Sequence, residues 1–294
     1  MYAGVRVESD TVVRKERRIP TNGEVLVKVG DVVEPDVVLA RGSVMSNEVH
    51  MVKIYAQLDV DAEEVARYML KGEGDEVKKD EAIAIRRSFF GRSTKVCRSP
   101  IDGTIENFSK VSGRALIRGK PIQVVVRAHI PGRVIEVIPG EGAVLESRAA
   151  LIQGVFGVGG EARGELSMAV ADPGEALSSD GIGDAQKGKV VVGGSLVTLD
   201  ALRRAVKAGV SGVVAGGVDQ KDLTEFLGFE IGLGVTGEER PGLALVVTEG
   251  FGAYPMKAGT FDILRSLEGR LACLDGSTQI RTNMLRPEVI IPLQ

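Results

Sequence analysis

A glycine-turn phrase repeated along the first half constrains this chain more than any other feature. It reads GEVLVKVGDVVEPDVVLARG at Gly23–Gly42 and KGEGDEVKKDEAIAIR at Lys71–Arg86. It returns as SPIDGTIENFSKVSGRALIRG at Ser99–Gly119 and IPGRVIEVIPGEGAVLESRAALIQG at Ile130–Gly154. Each copy is a short strand, a Gly turn, a second short strand and an apolar end. Val25, Val27 and Val29 alternate with Leu26, Lys28 and Gly30, the period of a strand with one buried face. Gly30-Asp31 then turns the chain, because Gly accepts positive φ and the Asp carboxylate bonds nearby backbone. Pro100 and Pro131 open the later copies, at strand starts where Pro is tolerated.

One helix is expected inside this β region, at about 61–71. Asp61 and Glu64 form a capping-box-like start, Val65, Tyr68 and Met69 share a face, and Gly72 ends it. The expected organisation is a β-rich domain over 1–170, a linker over 171–188 and an α/β domain over 189–294. The fold class is therefore multidomain β plus α/β.

The stretch around Ala82–Gly119 resembles the biotinyl/lipoyl carrier family and, more broadly, the barrel-sandwich hybrid fold. Ser99-Pro100-Ile101-Asp102-Gly103-Thr104-Ile105 matches the family phrase. Counting back from Pro100, the family's modified lysine falls at Arg92. Arginine cannot form the carrier amide, and Lys95 is three residues out of register. The resemblance thus implies the shape of the domain and no attached cofactor. Similar hybrid domains occur as accessory parts of RNA polymerase large subunits and electron-transfer complexes, so the likeness specifies shape and not chemistry.

The expected hairpin of that domain concentrates Arg86, Arg87, Phe89, Phe90, Arg92, Lys95 and Arg98. These are candidate partner contacts, for an acidic surface or for stacked bases. The bland alternative is a solvated hairpin whose phenylalanines close one end of the domain. A net charge of −3 argues against nucleic acid as the partner.

From Lys189 the period changes. Val190–Val192 is wholly apolar, as a strand buried on both faces requires. Thr198 or Asp200 can cap a helix through Leu202, Ala205 and Val206 that ends at Gly209. Val210–Ala215 is the next strand, and Asp219 caps a helix through Leu223, Phe226 and Leu227 that ends at Gly228. Leu243–Val247 is a third strand, with a helix following within Thr260–Leu267. This alternation predicts a largely parallel sheet, with a β-rich tail over 269–292.

In such sheets ligands bind outside the carboxyl ends of the strands. Three ends carry Gly-rich loops, and the candidate ligand residues are Gly193, Gly194, Ser195, Gly216, Gly217, Asp219, Thr248, Glu249 and Gly250. Helix N-termini there would favour an anion. The loop 234–240 is placed to fold over them, and Arg281 and Arg286 are further candidate anion contacts. The competing reading is that tight strand-to-helix turns simply need glycine.

The remaining features narrow the classes. Cys97 and Cys273 match no metal or redox spacing. His50 and His129 are the only histidines, which excludes a His-rich metal site and leaves a Ser-His-Asp triad little room. Gly154–Gly160 is not followed by a helix pattern, so it is no dinucleotide fingerprint, and no phosphate-binding Gly-x-x-x-x-Gly-Lys-Ser/Thr loop occurs. No metal and no cofactor is expected. No apolar run reaches membrane-span length, and MYAGVRVESD lacks a signal-peptide core, so the expectation is cytoplasmic. The favoured function is a non-catalytic binding or scaffold protein that docks an unidentified protein partner or a small ligand, with self-association left open. The rivals are an enzyme acting on a small anionic substrate and a nucleic-acid-associated factor.

Overall fold

The computed structural model describes residues 5–87, 93–229, 241–278 and 286–293. Phe89, Phe90, Arg92, the loop 234–240 and Arg281 lie outside the described residues. The fold is mostly β, with one large mixed sheet that includes a parallel α/β portion.

The first group of strands is β1 (Val7–Arg18), β2 (Gly23–Val25), β3 (Val32–Val33) and β4 (Val38–Val44). Next come β5 (Val49–Lys53), helix α1 (Ile54–Leu58), β6 (Glu76–Val77), β7 (Ala82–Arg87), β8 (Thr94–Arg98), β9 (Gly103–Ser109) and β10 (Arg114–Gly119). The chain then returns to the first group with β11 (Ile122–Arg127), β12 (Gly132–Ile138) and β13 (Gly142–Gln153).

The sequence repeat is two copies of one module, the second inserted into the first. In the outer copy Gly30 donates to Val134 O and Val134 donates to Asp31 O, both at 2.8 Å. In the inner copy Gly74 donates to Ile105 O at 2.8 Å and Ile105 donates to Asp75 O at 3.0 Å. Val33 stands opposite Gly132 on β12 as Val77 stands opposite Gly103 on β9. β4 pairs antiparallel with β11 as β7 pairs with β8. The inner copy enters the chain between Val44 and Ile122, which are themselves cross-strand partners, so it replaces the tip of the outer hairpin. Each copy has its own core. Leu39, Ile130, Leu145 and Leu151 belong to the outer one, and Ile54, Leu58, Ile83, Ile105 and Ile117 to the inner one.

The helix expected at 61–71 is instead a 3-10 turn at Ala62–Arg67, and Asp61 makes no side-chain cap. Tertiary pairing decides this. Met69 bridges to Ala84 and Leu70 donates to Ile83 O at 2.9 Å, drawing the chain into extended backbone just where a helix would continue. The five-residue α1, with Ile54 and Leu58 buried, was not foreseen.

The remaining strands are β14 (Phe156–Val158), β15 (Glu161–Met168), β16 (Ala176–Leu177), β17 (Val190–Val192), β18 (Leu196–Val197), β19 (Gly212–Val218), β20 (Ala244–Phe251), β21 (Leu271–Asp275) and β22 (Glu288–Pro292). Helices α2 (Leu199–Ala208), α3 (Gln220–Leu227) and α4 (Ala258–Ser266) lie among them. β15, β17, β19 and β20 run parallel in that order, and β14 pairs antiparallel with β20. On the other side, β21 pairs with β15, β22 with β21, and β13 with β22. The sheet is therefore continuous from β20 to β13, and β14 and β15 share it with strands that follow residue 188.

Alternation along the parallel strands explains the two helix layers. Val191, Val213, Ala215, Leu245 and Val247 pack with Ala201, Leu202 and Ala205 of α2 and Leu223 of α3. Val190, Val192, Val214, Ala244 and Val246 face the other way, onto Phe261 and Leu264 of α4. Both faces are covered, which is why these strands read as unbroken apolar runs. Thr198 caps α2 by accepting the Ala201 N–H at 3.2 Å, and Gly209 ends it in the left-handed region. Asp219 caps α3 through the Lys221 and Asp222 N–H groups, and Gly228 ends it. Among the described residues no helix is long and apolar enough to cross a membrane.

Candidate functional site

The carboxyl ends of β17, β19 and β20 come together as the alternation requires, and the protein's own backbone covers most of what they present. The segment 172–175 lies across Gly194, and a Cβ there would run into the Glu175, Asp172 and Pro173 carbonyls. Gly216 is pressed against Tyr254 O, and Gly217 against Gly252 O. Gly193 meets the Leu177 side chain. Gly194, Gly216 and Gly217 therefore allow close backbone approach, and Gly193 makes room for a side chain. Gly250 differs, with φ at 153° and nothing near its Cβ position.

The polar candidates are occupied in the same way. Ser195 is buried and donates to Gly174 O at 2.8 Å. Asp219 is spent on the α3 cap. Thr248 reaches Ala215 O at 3.4 Å. Among the described residues none of these side chains stands beside a histidine or another base in the manner of an activated nucleophile.

Thr248 and Glu249 also line a cavity of about 440 Å³ at the side of the sheet. Its other walls are Val5, Val7 and Gln153, from the start of β1 and the end of β13, and Lys257, Gly259, Thr260 and Ile263 from the start of α4. Glu249 is 13% exposed and Lys257 is 74% exposed. One Glu249 oxygen accepts the Lys257 backbone N–H at 3.2 Å, and the other lies 3.3 Å from the Lys257 ammonium. The carboxylate thus serves the start of α4, where no local side chain caps the helix. Sequence reading named Thr248 and Glu249 and missed the rest. The missing signal was tertiary, since Val5, Val7 and Gln153 reach the site through the β1–β13 pairing.

Three of the hairpin's described cations are engaged with their own module. Arg86 donates to the carbonyls of Leu58 and Asp59, Lys95 pairs with the Asp59 carboxylate at 2.9 Å, and Arg98 donates to Asp80 O at 2.7 Å. Arg87 is exposed at the end of β7.

A second cluster ties β1 and His129 of the outer module to β15 and β22. Arg17 holds Glu161 with two hydrogen bonds, and Lys15 pairs with the buried Glu288. His129 sits at φ 68° with Nδ1 3.7 Å from Glu161 and Nε2 3.0 Å from Leu274 O. Burial pushes the His129 imidazole and the Lys15 ammonium below their ordinary values, against the pull of Glu161 and Asp275. Burial works to raise Glu161, but Arg17, His129 and Lys15 outweigh it and hold the carboxyl below its usual range. Every member has an opposite charge close by, as a structural ion network needs. Among the described residues no group of His, Cys, Asp and Glu is arranged to hold a metal ion.

Comparison with protein-family models, with curated proteins and with solved structures finds no match for this chain.

Proposed function

We propose that this is a non-catalytic binding or scaffold protein. In this reading the two nested modules are barrel-sandwich hybrid domains, and the inner one is a docking lobe carried on the outer one's hairpin. The observation that carries the reading is the fate of the strand-end groups. Ser195 holds a loop, Asp219 caps a helix and Thr248 bonds the neighbouring strand, which leaves a cavity and, among the described residues, no catalytic constellation. The duplicated turn and strand pairings support the hybrid-domain assignment.

The test is native followed by denaturing mass spectrometry of the full chain, with partner capture in parallel. A mass lost on denaturation, or a stoichiometric partner, is the expected result. An enzymatic turnover abolished by Ser195→Ala at unchanged stability would sink the reading.

A further inference from the structure

We propose that the cavity beside α4 takes a small primary ammonium carried on an apolar chain, an assignment that rests on the binding reading above. The apolar part is set by Val5, Val7 and Ile263, and by Gly259, where a Cβ would meet nothing within 4 Å. At about 440 Å³ the space suits a small molecule rather than a macromolecular segment.

The sign of the charge is decided by which ionic group lies inside. Glu249 is the sheltered member of the pair and Lys257 the solvated one, at 13% and 74% exposure. A helix start ordinarily welcomes an anion. Here Glu249 already accepts the Lys257 N–H at 3.2 Å, so a second anion would be placed against a carboxylate. An ammonium meets the reverse situation. It gains a charge-assisted hydrogen bond to a carboxylate in partly apolar surroundings, where such bonds are strong. The Lys257 ammonium, 3.3 Å from Glu249, makes the same contact from the solvent side. An ion pair with so exposed a partner is weak and readily exchanged.

The experiment is calorimetric titration of the full chain with n-hexylammonium, hexanoate and hexanol at one ionic strength. The expected result is one n-hexylammonium bound per chain, hexanol about tenfold weaker and hexanoate not bound. Glu249→Gln keeps an acceptor for α4 and lowers n-hexylammonium affinity about tenfold or more. Lys257→Ala raises it, because the competing ammonium is gone. Val7→Phe, at the exposed start of β1, blocks both n-hexylammonium and hexanol. Hexanoate binding as well as n-hexylammonium, or affinity falling in Lys257→Ala and rising in Glu249→Gln, overturns the assigned charge and leaves the binding reading standing. No binding by any probe overturns the assignment of this cavity, whereas the scaffold reading is decided separately by native mass spectrometry.

Discussion

Asp31 and Asp75 occupy the same position in the two copies of one module. Asp31 Oδ2 accepts the Lys28 N–H at 2.8 Å, and Asp75 Oδ2 accepts the Gly72 N–H at 2.7 Å. In both copies the Asp N–H returns to the carbonyl of that same residue three back, at 3.1 and 3.2 Å. The turn is thus locked by one side-chain and one backbone bond, and the following strand is aimed at its glycine-bearing partner.

Replacing either aspartate with alanine should cost about 1 kcal/mol, the worth of one such hydrogen bond. The effects should fall in different places. Asp75→Ala should raise hydrogen exchange within 49–119 and Asp31→Ala within the outer module. Equal spreading of both effects over the whole chain would contradict two separate cores.

The two thiols report on those cores independently. Cys97 is buried in the inner core and burial pushes its thiol up to about 11, while Cys273 is buried in the outer core and pushed up to about 12. Neither should react with a thiol reagent near neutral pH while the protein is folded. In a denaturant series Asp75→Ala should shift the curve along which Cys97 becomes reactive more than that of Cys273.

Removing residues 45–121 and joining Val44 to Ile122 through an Asn-Gly turn should leave the rest folded. Those two residues already face each other across β4 and β11, so a two-residue hairpin closes the gap. Retained protection of Cys273 and one cooperative melt are the expected readouts. A shortened chain that exposes Cys273 would mean that the outer core depends on the inner lobe.

Acid should destabilise the protein in two steps. The folded His129 imidazole binds its proton less tightly than the ordinary value of 6.5, so stability falls as pH drops from 6.5 toward the lowered folded value. Glu161 is held below 4.5, and its contribution, present above 4.5, is lost as pH falls through its folded value. His129→Asn, which tolerates positive φ and does not titrate, should flatten the limb just below pH 6.5 and keep the lower one. Urea midpoints measured across this range would check it. Asp275, Arg17 and Lys15 are the other charges around these two groups.

Glycine substitutions separate backbone packing from ligand contact. Gly194→Ala and Gly217→Ala place a Cβ inside neighbouring carbonyls and should each cost about 2 kcal/mol or more. Gly259→Ala adds a Cβ in open space at the start of α4 and should be neutral or stabilising by up to about 1 kcal/mol. Thermal melts of the three variants give the answer directly.

The sequence by itself determined the ends of α2 and α3 and the repeat. Thr198 with Gly209 and Asp219 with Gly228 mark both ends of α2 and α3, because caps and left-handed stops depend on residues within one turn. Val190–Val192 declared a strand covered on both faces, and the glycine-aspartate phrase declared a turn-and-strand unit. Only the tertiary structure decided that the second unit sits inside the hairpin of the first, that β14 and β15 join the parallel strands, and that β22 returns to β13. It also decided that Gly194, Gly216 and Gly217 meet backbone while Glu249 meets a cavity. The physical reason is range. Caps, turns and strand period arise from interactions between close neighbours in sequence, whereas Val7, Gln153 and Glu249 become neighbours only after pairings across the whole chain have formed.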